Sequence, residues 1–360
     1  MRINYQSASH IPVLDSLRGL AVLLVILFHC FPHPVTTLGW VGVDLFFVLS
    51  GFLITGILID SKGKKGYYRN FIARRTLRIF PLYFFALLIC LVLLPLFFHS
   101  LLSPDYAYYL QHQGWFWLYG QNWLFSITGF PKDHTLVHFW SLAVEEQFYV
   151  FWPLVVAVCS RRKLIWVCLF LIVFCLFFRF YLGERLGLID PFRYMATAAR
   201  MDALLIGALI AIFIRIRREL LERFTLPVAL ISVAAIAAGI LYSFSLHFIR
   251  LSSIYLFIDI AAGCLLILLL SNYSDFFALR WLKHRSFKWL GKYSYGLYVY
   301  HYIIFNLIRY NLEDQVNAIS GNKWLTMLAI GGISVALSII ISVVSFKYLE
   351  MPFLKLKKYF

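Results

Sequence analysis

Residues 14–30 of this chain read LDSLRGLAVLLVILFHC. The segment that contains them, 11–31, is apolar enough and long enough to cross a bilayer as a single helix. It nevertheless carries Arg18 and His29, eleven positions apart. Eleven helical steps of about 100° return both side chains to one helix face, about 16 Å apart along the axis. Since ionisable residues in membrane helices usually face a protein interior or a water-filled cavity, this face predicts a functional site inside a membrane protein.

The whole chain has the composition of a membrane protein. Its 360 residues are 62% hydrophobic and its mean hydropathy is +0.79, which is too apolar for a soluble domain. Apolar runs of membrane-spanning length predict an all-α polytopic integral membrane protein with ten spans. The predicted spans are 11–31, 39–59, 77–98, 139–159, 164–182, 200–216, 225–242, 254–271, 291–311 and 323–348.

The basic residues orient these spans. They concentrate in five segments, namely 62–78, 161–163, 215–223, 280–292 and 347–358. With ten spans and a cytoplasmic N-terminus, all five segments and the C-terminus lie in the cytoplasm, as the positive-inside rule requires. The net charge of +16 then faces the anionic lipid of the inner leaflet and needs no nucleic-acid partner. We expect the bacterial cytoplasmic (inner) membrane as the location.

One apolar stretch, 107–126, does not fit as a span. It is rich in tryptophan but is interrupted by polar side chains, including Gln113, Gln121 and Asn122. If it crossed the membrane, 161–163 and the later basic segments would lie outside. The sequence therefore predicts a re-entrant or interfacial segment here.

Several polar residues fall at one depth, in the outer half of the predicted bundle. They are His29, Asp44, Ser141, Glu145, Glu146, Arg200 and Asp202. Glu145 shares a helix face with Ser141, four positions earlier, so we expect Glu145 to be the inward-facing glutamate of its pair. A histidine beside a carboxylate can accept the proton of a hydroxyl group. This pattern predicts His29 as a catalytic base oriented by Asp44 or Glu145. The alternative is that these groups only pair with one another and hold helices together.

Two further patterns concern arginine and histidine. Arg75 and Arg78 are three positions apart on a helix that enters the membrane, so both guanidinium groups can bind one phosphate-bearing anion; the alternative is a topological anchor. His134 and His138 lack the glutamate of a metalloprotease motif, so no metal is expected. His301, near mid-membrane, is typical of a hydrogen-bonded interior histidine.

Six motifs in order resemble the acyltransferase-3 family of integral membrane acyltransferases, over about residues 10–351. They are LDSLRG at 14–19 with His29, GVDLFFVLSGF at 42–52, RTLR at 75–78, WSLAVEEQFY at 140–149, RMDAL at 200–204 and LGKYSYGLY at 290–298. The family includes O-acyltransferases of O-antigen, exopolysaccharide and peptidoglycan.

The resemblance implies a role for each matched position. His29 matches the family's catalytic histidine, Arg18 the arginine of the same motif, and Arg75 and Arg78 the pair held to serve an acyl-CoA donor. We expect all three arginines to bind this anionic donor. Asp44 and Glu145 match acidic positions near the histidine, for which Glu146, Ser141, Arg200 and Asp202 are supporting candidates. The resemblance also implies cytoplasmic acetyl-CoA, or another acyl-CoA, as donor and an extracytoplasmic glycan as acceptor.

The prediction is therefore a membrane O-acyltransferase with one transmembrane domain, 10–351, and a short basic cytoplasmic tail, 352–360. Some relatives carry an additional extracytoplasmic domain, and the printed sequence shows none, so we expect direct transfer or a separate acyl-accepting protein. The alternative functions are a transporter that uses the histidine and carboxylates as a proton relay, and a scaffold for polysaccharide assembly. A transporter often shows inverted repeats, and the sequence shows no such symmetry.

Overall fold

The computed structural model describes residues 12–182, 195–246, 252–271 and 277–360, and these ranges are helical without a β-strand. Ten long helices overlap the ten predicted spans, which confirms the all-α class. They are α1 (Pro12–Cys30), α2 (Val41–Ser61), α3 (Tyr67–Leu88), α4 (Trp140–Val158), α5 (Arg161–Phe177), α6 (Thr197–Ile216), α7 (Arg218–Leu246), α8 (Ser252–Leu270), α9 (Arg285–Ser320) and α10 (Lys323–Ser345).

The surface of the bundle is that of a membrane protein. Among the described residues, seven helical stretches are long and apolar enough to cross a membrane. Large apolar side chains point outward, as for Phe151, Trp166 and Phe170, which are 66%, 71% and 69% exposed. Soluble proteins rarely expose apolar surface on this scale, whereas a lipid-facing surface requires it. The chain is an integral membrane protein, and the number of ten spans stays a prediction.

Three helices begin clearly before their predicted spans. Helix α9 has 36 residues and begins at Arg285, six positions before the predicted span. Its first turn contains Lys288, which a count of apolar residues excludes although lysine is a good helix former. Helix α7 begins at Arg218, seven positions early. Helix α3 begins at Tyr67, ten positions early, and its continuation through a π-helical turn (Ile89–Leu93) into Leu94–Phe97 agrees with the predicted end at 98.

Neighbouring helices run in the directions that the predicted topology requires. Helices α1 and α9 are parallel, because Asp15 lies against Gly291 near their starts and His29 contacts His301 further along. Helices α2 and α4 are also parallel: Ser50 contacts Glu145, and one turn later Thr55 accepts a hydrogen bond from Trp152. The end of α3 and the start of α4 therefore lie on the same side of the membrane, and the segment between them does not cross it.

Residues 104–128 belong to this connecting segment. They form three short helices, Ala107–Gln111, Gln113–Trp117 and Gln121–Thr128, and even eight residues rise only about 12 Å, too little to span a bilayer. Gln121 is buried and donates to the Phe139 carbonyl, and Asn122 donates to Thr197. The amides that interrupt the apolar run therefore attach the segment to the bundle.

Close helix contacts depend on glycine at two positions. A Cβ atom at Gly291 would lie 1.8 Å from the Asp15 carbonyl oxygen, and one at Gly51 would lie 1.8 Å from that of Leu204. These glycines let α9 approach α1 and let α2 approach α6 at backbone distance, as is common between membrane helices. Because α1, α2 and α9 carry much of the candidate site, these contacts position it.

Residues beyond α10 remain helical. A π-helical turn (Phe346–Glu350) leads into Met351–Lys355 and Leu356–Tyr359, and these last turns contact α3. The predicted tail, 352–360, thus lies beside the helix that carries Arg75 and Arg78.

Candidate active site

A cavity of about 800 Å³, counted with the space at its mouth, lies between α1, α2, α3, α4 and α9. The charged residues that line it are Arg18, Arg75, Arg78, Glu145 and Glu146. The structure therefore brings together the three arginines that the sequence assigned to one anionic ligand.

The arginines leave hydrogen-bond donors available in this cavity. Arg18 Nη1 donates to Asp15 Oδ1 on its own helix at 3.1 Å. Arg75 lies over the Phe71 ring, with its Cζ atom 5.7 Å from the centroid. Within the described ranges, neither Arg75 nor Arg78 has a carboxylate partner within 4.0 Å. Guanidinium groups without a carboxylate partner can donate paired hydrogen bonds to the phosphate groups of a ligand.

Both glutamates face this cavity, which corrects the expectation that only Glu145 does so. Glu145 Oε1 accepts a hydrogen bond from Ser50 Oγ at 2.5 Å, and Tyr149 donates to the same Ser50 Oγ at 3.1 Å. Glu146 is buried, and its Oε1 has no hydrogen-bond partner in the described part of the chain. Adjacent helical residues point about 100° apart, and the cavity is wide enough to include both directions.

A cluster of histidines lies at the ends of α1 and α4 and on α9. His29 Nδ1 lies 2.8 Å from His301 Nε2, although 272 positions separate the two residues. The Tyr302 ring stacks on His29, with centroids 4.1 Å apart. The His138 ring lies 5.3 Å from that of His301 and 6.4 Å from that of His29. His301 and His138 are buried, whereas His29 is partly exposed.

One further histidine lies beside this cluster, outside the helices. His134 Nδ1 is 3.4 Å from the Tyr302 hydroxyl. Burial lowers the pKa of His134 below its ordinary value, despite the opposing effect of neighbouring Asp133. A neutral His134 is therefore favoured at neutral pH.

The prediction that Asp44 or Glu145 is the carboxylate partner of His29 is wrong. Asp44 forms a fully buried ion pair with Arg200, and Glu145 bonds to Ser50 in the cavity. Asp202 likewise pairs with Arg179 at 2.6 Å, again fully buried. Equal depth was the basis of the prediction, but the rotation of α2 directs Asp44 toward α6. These two ion pairs thus join α6 to α2 and to the π-helical turn (Phe178–Leu182) that follows α5.

Tyr298 separates the cavity from the histidine cluster. Its side chain lines the cavity, and its ring centroid lies 5.6 Å from that of His138 and 5.8 Å from that of His301. Its hydroxyl donates to the His138 carbonyl at 2.9 Å and lies 2.5 Å from Ser141 Oγ. The arginine-lined cavity and the histidines are therefore parts of one site, with one side chain between them.

Sequence reasoning missed several members of this site. Ser50, Tyr149 and Tyr298 carry its hydrogen bonds, and His138 and His301 surround His29. One signal was available: Tyr298 and His301 are three apart and share a face of α9. Nothing in the sequence ties that face to α1.

The site thus combines an arginine-lined cavity with an adjoining imidazole cluster inside a membrane protein. The family model described as an acyltransferase domain, that of acyltransferase-3, matches residues 11–343. The chain therefore belongs to the acyltransferase-3 family of integral membrane proteins. No solved structure gives a significant match.

Curated relatives include three bacterial proteins. A putative peptidoglycan O-acetyltransferase of Bacillus subtilis is 31% identical over 82% of this chain and 49% of its own length. The peptidoglycan O-acetyltransferase OatA of Listeria monocytogenes is 29% identical, over 98% of this chain and 57% of its own. The O-acetyltransferase OatA of Staphylococcus aureus is 26% identical, over 97% and 58%.

The chain spans about half the length of these relatives. Family membership supports a transferase over the transporter and scaffold alternatives. The bacterial relatives and the apolar helices together place the protein in the bacterial cytoplasmic membrane.

Proposed function

We propose that this protein is an O-acyltransferase that moves an acetyl group from cytoplasmic acetyl-CoA, or a related acyl-CoA, to a hydroxyl of an extracytoplasmic cell-wall glycan. The observation that carries the proposal is the contact, through Tyr298, between the arginine-lined cavity and the histidine cluster. The names of the relatives support an acetyl group and peptidoglycan as acceptor.

The donor binds through its phosphates. Arg18, Arg75 and Arg78 line the cavity, and two of them have no competing carboxylate in the described ranges. Guanidinium groups bind phosphate oxygens through paired, charge-assisted hydrogen bonds. The positive-inside orientation puts the start of α3 in the cytoplasm. A donor held there directs its thioester past Glu145 toward Tyr298.

His29 serves the acceptor, as a general base or as a transient carrier of the acyl group. As the base, it takes the proton of the acceptor hydroxyl while the hydroxyl oxygen bonds to the acyl carbon. The carbon–sulfur bond breaks, and the proton passes from His29 to the sulfur of CoA. Its partial exposure beside buried His138 and His301 suits contact with an external acceptor.

The activity is expected to require neutral His29. On the acid side, the rate falls about tenfold per pH unit once this single group is protonated. His29→Ala removes the proton acceptor and its stacking on Tyr302 but none of the apolar side chains of α1, so activity is lost and membrane insertion is retained.

The test uses detergent-purified protein with labelled acetyl-CoA and soluble peptidoglycan fragments. Free CoA thiol and alkali-labile ester on the glycan are measured together, for wild type and His29→Ala. We expect equal amounts of both products from wild type and neither from His29→Ala. Capsule-type polysaccharide, in a parallel reaction, tests the acceptor class.

Three results discriminate between the hypotheses. Release of CoA without ester on either glycan assigns the second transfer to a separate acyl-accepting protein. Intact acetyl-CoA in the presence of folded wild-type protein refutes the proposal. Activity of His29→Ala within threefold of wild type removes His29 from the mechanism.

A further inference from the structure

His301 is fully buried on α9, and its bonding pattern fixes the position of its proton. His301 Nδ1 lies 3.0 Å from the Leu297 carbonyl oxygen and 2.8 Å from that of Tyr298. Carbonyl oxygens only accept hydrogen bonds, so Nδ1 must be the protonated nitrogen. In the neutral ring, Nε2 then carries a lone pair.

This assignment determines the tautomer of His29. The lone pair of His301 Nε2 faces His29 Nδ1 at 2.8 Å, so His29 Nδ1 donates to it and His29 Nε2 is left unprotonated. The opposite direction would require His301 to be a cation, or would turn a lone pair of Nδ1 toward two carbonyl oxygens. Neither arrangement is favourable in a buried site that has no neighbouring carboxylate among the described residues.

We propose that His301 is a positioning residue that takes the place of the carboxylate predicted at Asp44 or Glu145. It holds His29 as the Nδ1–H tautomer, so that His29 Nε2 is the nitrogen that takes the hydroxyl proton. This inference rests on the proposed acyl transfer. An interior histidine with purely structural hydrogen bonds would not affect catalysis, whereas this role makes the rate of transfer depend on the hydrogen bond between His29 and His301.

The hydrogen bond between His29 and His301 also disperses the positive charge that forms on His29 during transfer. When His29 Nε2 gains the hydroxyl proton, the Nδ1 proton can move toward His301 Nε2. The resulting charge is shared with a ring whose Nδ1–H already donates to two carbonyl oxygens. The proton returns along the same bond when His29 protonates the sulfur of CoA, so no proton is gained or lost.

His138 shows the same kind of backbone bond, but its ring contacts His29 edge-on without a hydrogen bond between them. Its Nε2 lies 3.1 Å from the Val299 carbonyl oxygen, while its buried Nδ1 has no partner among the described residues. The same reasoning makes His138 Nε2 the donor. Of these two neighbours of His29, His301 is therefore the one placed to select its tautomer.

Asn and Gln substitutions separate positioning from folding. In His301→Gln, the longer side chain brings an amide oxygen near the place of Nε2, where it can accept from His29. In His301→Asn, the shorter amide lies near the place of Nδ1, where it bonds to the carbonyls and does not reach His29. Both variants keep a polar side chain at the buried position.

The experiment measures kcat, KM for acetyl-CoA and thermal stability in the CoA-release assay. We expect His301→Asn to lower kcat by about 100-fold or more, the usual contribution of an oriented base, with KM nearly unchanged. His301→Gln should recover at least about tenfold of this loss. Tyr300→Phe is the matched control, because it removes a buried hydrogen bond of the same helix, to Ser345, away from His29. It should keep wild-type kcat.

Equal kcat values for the Asn and Gln variants would overturn the inference, whether both are high or both are low. If wild type itself releases no CoA, the proposed function fails instead, so the two failures are distinguishable.

Discussion

Loss of one cavity arginine should weaken donor binding by a calculable amount. Arg75 lines the cavity with its guanidinium group free of a carboxylate in the described ranges. A hydrogen bond to a charged group contributes about 1.5–3 kcal/mol. At 1.4 kcal/mol per tenfold change in affinity, we expect Arg75→Ala to raise the Kd for CoA by about 10- to 100-fold. Arg75→Lys keeps the charge but loses the planar pair of donors, so its Kd for CoA should lie between those of wild type and Arg75→Ala.

The assay is equilibrium binding of CoA to detergent-purified variants, with thermal stability measured alongside. Arg74→Ala is the matched control, because Arg74 is the exposed neighbour of Arg75 and does not line the cavity. It should bind CoA like wild type. If Arg75→Ala and Arg74→Ala bind CoA within twofold of each other, Arg75 is an anchor for topology and the donor assignment is wrong.

Two further predictions concern the scaffold. Gly291→Ala places a Cβ atom 1.8 Å from the Asp15 carbonyl oxygen and should lower the free energy of unfolding by at least about 1–3 kcal/mol, as overpacking does. The control in a thermal melt is Gly332→Ala, whose Cβ atom meets open space and should leave stability unchanged or raise it. Equal melting temperatures for the two variants would contradict the close packing at Gly291. Asp44→Asn removes the negative charge from a fully buried ion pair with Arg200, and the loss of one partner of a buried pair should cost about 3–5 kcal/mol. The control Asp60→Asn breaks a partly exposed pair worth about 0–1 kcal/mol, and equal losses would refute the distinction.

The sequence predicted the parts of the site that lie on one helix. Arg75 and Arg78 are three positions apart, so helix geometry alone directs both toward one cavity. Hydropathy and charge predicted the long apolar helices and the re-entrant or interfacial segment at 107–126. Helical periodicity and membrane depth are properties of single segments. They can be read without knowing which helices are neighbours.

The sequence did not predict the partners of His29, because they depend on helix rotation and on neighbours. Asp44 lies at a suitable depth, but α2 turns it toward Arg200. His301 was placed near mid-membrane because the ninth span was started at 291. The helix begins at Arg285, so His301 lies about 24 Å from its start, close to the about 26 Å between Pro12 and His29 on parallel α1. The two histidines therefore meet at one level.

In the proposed function, one chain carries an acyl group from a cytoplasmic cavity to an external acceptor through His29. The most direct measurement uses sealed proteoliposomes of known orientation, with acetyl-CoA only on the side of the basic segments and peptidoglycan fragments only on the other. We expect CoA on the first side and an equal amount of ester on the second, with both lost in His29→Ala. Ester formed only when acetyl-CoA and glycan share one side, or solute movement with the thioester intact, would contradict it.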